Sequence, residues 1–131
     1  MCGRYTITGD LAELDKLVRF ICKVVDFKPR YNLSPRQHAP VLVWENGQAV
    51  LKPMRWGLIP SWAKDETIGD KLTNARADTI TEKASYRRPF EQQRCLIPAD
   101  GFYEWQTTST GKQPFRGSAM LVMGNKSSHL A

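Results

Sequence analysis

Apolar and polar positions follow two different periods at the start of this chain. The stretch RYTI (4–7) alternates polar and apolar residues, which predicts a short strand. Asp10 is a suitable N-cap, and the residues after it show helical spacing, so we expect a helix that reaches Val25. The apolar positions of this stripe are Leu11, Leu14, Leu17, Val18, Ile21 and Val25. Cys22 lies beside the stripe and is predicted to be in the core, and Pro29 ends the pattern.

The pattern then changes to one typical of a β-hairpin. Two apolar runs, APVLVW (39–44) and QAVLKPM (48–54), flank the segment ENG. Asn46 followed by Gly47 is a strong signal for a two-residue hairpin turn. The next segment, KPMRWGLIPSW (52–62), is too rich in Pro, Gly and Trp for a helix. It is predicted to be a strand that runs into a structured loop.

The second half of the chain is predicted to be mostly strands. Residues 78–86 are predicted to form a short helix that starts near Asp78 or Thr79. RCLIP (94–98) and GFYEW (101–105) are strand-like runs separated by Ala-Asp, TTSTGKQ (107–113) is a predicted turn, and SAMLVM (118–123) a last apolar strand. No repeat, low-complexity tract or linker is present. The expected architecture is one α+β domain over 1–131 with more strand than helix.

The composition favours a polyanionic partner. The 131 residues include 19 Lys and Arg against 13 Asp and Glu, a net charge of +6, and nucleic acid is the commonest such partner. Cys2, Cys22 and Cys95 form an odd set without a CxxC motif, and only two histidines are present, which disfavours a zinc site or a disulfide framework. Unpaired thiols, no membrane-length apolar run and no signal-peptide pattern predict a cytoplasmic protein.

Cys2 stands directly after the initiator methionine. Removal of Met1 would leave an α-amine and a thiol on adjacent carbons, which no internal cysteine has. The amine can form a Schiff base with an aldehyde, and the thiol can then close on the imine carbon to give a thiazolidine ring. Both groups are partly nucleophilic near neutral pH because their ordinary pKa values are about 8 and 8.5. Arg4 would help to ionise the thiol and to bind phosphate. The alternative is a neutral small residue near the end of the chain.

Three further stretches carry candidate chemistry. In MRWGLIPSWAK (54–64), Trp56 and Trp62 beside cations suit stacking of single-stranded bases, although both rings also suit a core. In TNARAD (73–78), Asn74 is able to orient a substrate oxygen and Arg76 to grip a phosphate, unless the segment is a charged surface turn. In PADGFYEW (98–105), Glu104 lies between aromatic residues that would raise its pKa toward an acid–base range. The alternative is an outward-facing strand residue.

Six motifs in this order resemble one known family. MCGRY, YNLSP (31–35), MRWGLIPSW, NARADT (74–79), SYRRPFEQQRCLIP and ADGFYEW together resemble the SOS response-associated peptidase (SRAP) domain, nearly continuously from residue 1 to about 115. The resemblance implies a β-rich α+β domain with a barrel-like, bifurcated sheet flanked by helices. It also implies that no metal and no organic cofactor take part.

The resemblance implies a DNA-damage function. Members of this family shield abasic sites in single-stranded DNA through a thiazolidine crosslink to the N-terminal cysteine. Carried over by motif, Cys2 is the nucleophile, Asn74 holds the sugar, and Glu104 is the acid–base residue for methionine removal and sugar ring opening, which are autopeptidase and lyase-like steps. The implied DNA contacts are Arg4, Asn32, Pro35, Trp62, Arg76, Arg87 and Trp105. We expect a monomer that acts at the nucleoid, without a membrane partner.

The sequence departs from the family pattern after about residue 115. The family's catalytic histidine, in an IHxRMP-like motif, is absent, and residues 116–131 read RGSAMLVMGNKSSHLA instead. His38 lies in SPRQHAP, and His129 lacks the flanking pattern. We expect either a truncated product, a fragment or a short active variant, with exposed strand edges that favour association. Two alternative functions are a catalytically impaired single-stranded DNA-binding remnant and an amidohydrolase or peptidase that acts in trans.

Overall fold

The computed structural model describes residues 3–23, 26–118 and 121–125, in which strands predominate over helices. The α+β class is therefore confirmed, whereas barrel-like closure of the sheets stays a prediction. The strands are β1 (Arg4–Ile7), β2 (Ile21–Cys22), β3 (Arg30–Leu33), β4 (His38–Glu45), β5 (Gln48–Arg55), β6 (Arg94–Pro98), β7 (Gly101–Thr108), β8 (Gly111–Ser118) and β9 (Leu121–Asn125). The helices are α1 (Leu11–Leu17) and α2 (Arg87–Gln92), with a 3₁₀ helix at Glu66–Asp70. Neither described α-helix has the length and apolarity to cross a membrane.

Two sheets share the strands. One sheet has the order β3-β1-β7-β8, and the other has the order β2-β5-β4-β6-β9. The chain passes from the second sheet to the first between β6 and β7, at Ala99 and Asp100. Ala99 at this crossing belongs to a buried cluster that draws on both sheets, together with Tyr5, Ile7, Leu33 and Ala39. The crossing and this cluster place β1 beside β7.

The hairpin predicted at Asn46-Gly47 is present as β4 and β5. Asn46 has φ 50° and Gly47 has φ 80°, which are the positive values that a type I′ turn requires at its two central residues. Both faces of β4 are buried. Val41 and Val43 pack with Cys95 of β6, whereas Leu42 packs with Leu51 against the apolar side of α1. Burial on both faces explains why APVLV (39–43) is continuously apolar, whereas Trp44 at the end of the run is exposed.

The predicted helix from Leu11 to Val25 is wrong in its second half. Asp10 caps α1 as expected, through a 2.8 Å bond from the Ala12 backbone N–H, but the helix ends at Leu17. Ile21 and Cys22 instead pair in parallel with Val50 and Leu51 of β5. Sheet pairing of Ile21 and Cys22 here outweighs the helical period. Cys22 is exposed, so its predicted core position is also wrong. Val25 lies outside the described residues.

The helix predicted over 78–86 is replaced by successive turns, and α2 begins only at Arg87. Pro89 explains the shift because proline fits the first turn of a helix and breaks its interior.

The predicted turn at 107–113 narrows to Ser109 and Thr110, and Gly111–Ser118 is a strand. Nearly every side chain of β8 is exposed, so no apolar alternation marks this strand, and its pairing with β7 defines it. The last strand is Leu121–Asn125 and not 118–123.

The carboxylate of Asp100 fastens β1 to the β6–β7 crossing. Thr6 donates its hydroxyl to one carboxylate oxygen, and Thr8 donates its hydroxyl (2.6 Å) and its backbone N–H to the other. The Gly9 N–H adds a fourth bond at 3.0 Å. Burial would by itself raise the pKa of Asp100, but the bonds from Thr6, Thr8 and Gly9 together hold this pKa well below its usual range.

Replacement of Asp100 by Asn should lower the free energy of unfolding by about 1.5–3 kcal/mol, because hydrogen bonds to a charged acceptor are lost. Since the folded-state pKa lies below the unfolded value of about 3.9, the carboxylate's contribution is present above that value and is lost as the pH falls. Urea unfolding between pH 3 and pH 7 measures both effects. An Asp100→Asn protein whose stability falls between pH 7 and pH 3 as steeply as that of the wild type would contradict this role.

Candidate functional site

The N-terminal strand runs alongside the strand that carries Glu104. Arg4 is paired with Tyr103, and the antiparallel register places Glu104 and Trp105 toward the N-terminal end of β1. Glu104 is half-buried and Trp105 is 43% exposed. Met1 and Cys2 lie outside the described residues, so the position of the predicted nucleophile stays a prediction. The direction of β1 nevertheless carries the chain from Arg4 toward the Glu104 part of β7.

Two of the residues predicted to contact DNA, Arg4 and Asn32, lie on the neighbouring strands β1 and β3. Arg4 Nη1 donates a 2.8 Å hydrogen bond to Asn32 Oδ1, and the Tyr103 hydroxyl donates to the Tyr31 carbonyl at 3.2 Å. Pro35 follows in a turn closed by the Gln37 N–H on the Ser34 carbonyl. The structure therefore brings Arg4 and Asn32 together at an exposed surface, with Pro35 close along the chain.

Asn74 lies in an irregular segment that two aromatic residues hold. Trp56 Nε1 donates to the Thr73 carbonyl at 2.9 Å, and the Tyr86 hydroxyl donates to the Asn74 carbonyl at 3.0 Å. Burial raises the pKa of Tyr86, so its hydroxyl keeps its proton across the neutral range. The backbone of Asn74 is fixed by these bonds while its side chain is exposed.

Arg76 already holds an anionic partner. Its Nε and Nη2 atoms donate to the two carboxylate oxygens of Asp78 at 3.0 and 2.6 Å. This pairing raises the pKa of Arg76 and lowers the pKa of Asp78. Both side chains are exposed, so the pair is weak in water. The planar fork that grips Asp78 has the geometry that also grips a phosphate.

A cavity of about 580 Å³ is lined by residues of β1, of β7 and of the segment that carries Asn74. Its walls are mainly apolar and include Tyr5 of β1 and Phe102 of β7, and Asn74 also lines it. The segment that carries Asn74 therefore shares one cavity with both strands of the N-terminal pair. An amide beside an apolar cavity is suited to orient a small polar group through a hydrogen bond.

The two tryptophans of MRWGLIPSW differ in environment. Trp56 is half-buried and packs on Tyr5, with ring centroids 5.4 Å apart, so it belongs to the core. Trp62 is 58% exposed in the loop after Pro60. Arg87 is exposed at the start of α2. The contacts that join Arg4 to Asn32 and Tyr86 to Asn74 reach neither Trp62 nor Arg87.

Neither of the two histidines of the sequence is among the residues whose contacts are described above. His38 is exposed at the start of β4, and His129 lies outside the described residues. Within the described part of the chain, no cluster of three or more His, Cys, Asp or Glu is placed to hold a metal ion.

Sequence reasoning missed Asp100 and Tyr86, and it missed that Trp56 holds the Asn74 segment. Asp100 lies inside the PADGFYEW motif, whereas nothing in the sequence marks Tyr86 besides its place in a basic stretch.

Comparison with known proteins gives a consistent family. A sequence model of the SOS response associated peptidase (SRAP) family matches residues 1–123. Abasic site processing protein YoaM of Bacillus subtilis is 45% identical over 120 residues, which is 88% of this chain and 52% of YoaM. Abasic site processing protein HMCES of Xenopus tropicalis is 43% identical over 101 residues, or 68% of this chain and 30% of that protein. The chain spans about half the length of the Bacillus relatives that it matches.

Solved structures agree on the fold. A crystal structure of a protein from Bacteroides thetaiotaomicron superposes with a TM-score of 0.77 at 24% identity, over 93% of this chain and 57% of that one. A phage-related protein from Bordetella bronchiseptica gives a TM-score of 0.72 at 24% identity, over 95% and 60%. At this level of identity the likeness concerns the fold alone.

Replacement of Asp78 by Asn should tighten the binding of single-stranded oligonucleotides by about two- to fivefold at low salt. The change frees the Arg76 fork, and an exposed ion pair is worth about 0–1 kcal/mol. Fluorescence anisotropy with a labelled oligonucleotide measures the affinity. Asp65→Asn is the matched control because it changes the charge equally and keeps an N-cap residue. An equal gain in both variants, or none in Asp78→Asn, would show that Arg76 does not contact the strand.

Proposed function

This chain belongs to the SOS response-associated peptidase family, and on that premise we propose that it processes abasic sites in single-stranded DNA by a covalent crosslink through Cys2. The observation that carries the proposal is the family match over residues 1–123, which includes every candidate site residue. The names of the relatives YoaM and HMCES give the substrate class. The register of β1 against β7 supports the proposal because it places Arg4, two residues after Cys2 in the sequence, beside Tyr103 and next to Glu104.

The proposed reaction uses the amine and the thiol of Cys2 in turn. After hydrolysis of the Met1–Cys2 peptide bond, the free α-amine adds to the aldehyde carbon of the ring-opened abasic sugar. Loss of water gives a Schiff base, and the Cys2 sulfur then bonds to the imine carbon as the thiol proton moves to nitrogen. The product is a thiazolidine, and no oxidant or reductant is needed. The balance of atoms requires one water for the peptide bond and releases one water in the condensation.

Glu104 and Asn74 have supporting roles in this proposal. The half-buried carboxylate of Glu104 accepts and returns the protons that move during Met1 removal and sugar ring opening. The exposed Asn74 amide donates to an oxygen of the sugar and holds its position beside the cavity. Both roles need only side chains that this chain supplies, and the mechanism requires no metal or organic cofactor.

The proposed DNA surface combines cations with exposed indoles. Arg4 and Asn32 present one polar group, and Arg76 and Arg87 add cations that suit phosphates. Trp62 and Trp105 are 58% and 43% exposed and offer stacking faces for unpaired bases next to the missing one. Pro35 fixes the turn beside Asn32. The net charge of +6 favours a polyanion, and we propose that a monomer binds single-stranded DNA at the nucleoid.

Substitution of Cys2 tests the covalent step. Cys2→Ala should abolish the stable adduct with an abasic single-stranded oligonucleotide, while leaving non-covalent affinity within about twofold. Cys2→Ser keeps the α-amine but has a poor nucleophile for ring closure, so its adduct should hydrolyse in water and become permanent with borohydride. Denaturing electrophoresis detects both species. Wild-type protein that binds the abasic strand without any adduct, trapped or untrapped, would leave a purely DNA-binding role.

Glu104→Gln tests the acid–base role. The amide keeps the shape of the side chain but shuttles no proton, so Met1 removal and adduct formation should slow by about 10²–10⁴-fold. Intact mass spectrometry reports retained Met1, and quenched time courses report the adduct. Affinity for undamaged single strands should stay within about twofold. A variant that loses Met1 and crosslinks at the wild-type rate would exclude Glu104 as the proton shuttle.

A further inference from the structure

We propose that Trp56 and Tyr86 are positioning residues that set the orientation of the 73–76 segment and thereby of Asn74. The inference rests on the proposed function, since it assigns Asn74 a substrate contact. We assign neither aromatic side chain a direct contact with the substrate. Each acts through the backbone of the segment that presents the amide.

Two consecutive carbonyls of this segment accept hydrogen bonds from aromatic side chains. Trp56 Nε1 donates to the carbonyl of Thr73 at 2.9 Å, and the Tyr86 hydroxyl donates to that of Asn74 at 3.0 Å. The donors come from distant parts of the chain, Trp56 directly after β5 and Tyr86 directly before α2. Two adjacent peptide groups that each accept a hydrogen bond have less rotational freedom than an unrestrained loop, because each bond limits the backbone conformations that are accessible.

The segment has few other restraints among the described residues. Its flanks are held by the Leu58 N–H on the Leu72 carbonyl and by the Thr79 N–H on the Arg76 carbonyl. Residues 73–76 themselves form neither helix nor strand. The backbone bonds from Trp56 and Tyr86 are therefore the contacts best placed to aim the exposed Asn74 side chain.

Trp56 is itself rigidly placed. Its backbone N–H donates to the Gln37 carbonyl and its carbonyl accepts from the Arg36 N–H, both at 2.9 Å. Its ring packs on Tyr5 at 5.4 Å between centroids, and Tyr5 lies in β1, three residues after Cys2 in the sequence. Trp56 thus connects the proposed nucleophile's strand to the segment that carries Asn74.

Tyr86 supplies the second restraint and couples it to α2. The Tyr86 carbonyl accepts the Phe90 N–H at 2.8 Å in the first turn of that helix, and Arg87 follows immediately. Because burial raises the pKa of Tyr86, the hydroxyl remains a donor throughout the neutral range. A donor that stays protonated gives a restraint independent of pH near neutrality.

The kinetic consequence differs from that of a binding residue. Loss of one restraint lets Asn74 sample unproductive orientations, which slows the reaction of bound DNA. Affinity should change little because the proposed phosphate and stacking contacts stay in place. A general loss of folding would instead lower the fraction of protein that binds.

Tyr86→Phe in the full 131-residue chain tests the inference. Single-turnover crosslinking to an abasic single-stranded oligonucleotide, at increasing protein concentration, separates the limiting rate constant from the apparent Kd. We expect the rate constant to fall about three- to tenfold, the range for one lost hydrogen bond, with Kd changed less than about twofold. Trp44→Phe is the control because Trp44 is exposed beside the β4–β5 turn and belongs to no proposed contact, and it should leave the rate constant unchanged.

A second readout does not depend on crosslinking. The indoles of Trp44, Trp62 and Trp105 are exposed, so the hydrogen-bonded Trp56 indole N–H should exchange most slowly with solvent in NMR spectra, and Trp56→Phe identifies its signal. Tyr86→Phe should speed this exchange by loosening the Thr73 carbonyl. Trp56→Phe should itself slow crosslinking to a similar extent as Tyr86→Phe.

The outcomes are distinguishable. An unchanged rate constant in Tyr86→Phe, or a fall matched by an equal loss of DNA binding, overturns the positioning role. Wild-type protein without any adduct overturns the proposed function, and the indole exchange then decides the structural part alone. Unchanged exchange in Tyr86→Phe would show that Tyr86 does not order the segment, and faster exchange would show that it does.

Discussion

The Asp100 carboxylate is the constraint on which the rest of this structure depends. It receives two donors from Thr8, one from Thr6 and one from Gly9, so it fixes the end of β1 against the crossing between the two sheets. A charged acceptor that is partly buried must keep its donors, since an unsatisfied carboxylate costs far more than the bonds it makes. The register of β1 on β7 is fixed in consequence, and with it the position of Arg4 beside Tyr103, next to Glu104.

Specific contacts connect β1 to the other parts of the candidate site. Arg4 bonds Asn32 on β3, and Tyr5 packs on Trp56, which holds the Thr73 carbonyl beside Asn74. The proposed catalytic residues Cys2, Asn74 and Glu104 come from three distant stretches of sequence. Strand β1 pairs with the strand that carries Glu104 and contacts, through Trp56, the segment that carries Asn74. Trp62 and Arg76 lie on loops and Arg87 at a helix start, whereas Trp105 lies on β7. All four side chains are exposed, as the proposed DNA contacts require.

Local sequence patterns predicted the elements whose boundaries are set by neighbouring residues. Asn46-Gly47 defined its hairpin, and Asp10 marked the start of α1, because turn and cap chemistry act within a few residues. The end of α1 was missed because pairing of Ile21 and Cys22 with β5 is a tertiary effect. Strand β8 was missed because its side chains are exposed. For the site, the family motifs named the candidate residues, but the bonds of Asp100, Trp56 and Tyr86 appear only in the folded chain.

The most direct test of this account is to locate the adduct. Wild-type protein is incubated with an abasic single-stranded oligonucleotide, both components are digested, and the modified peptide is sequenced by tandem mass spectrometry. The account predicts one modified peptide that starts at Cys2, lacks Met1, and carries the sugar remnant with loss of one water. An adduct on a lysine, an adduct on a chain that retains Met1, or no adduct at all would contradict it.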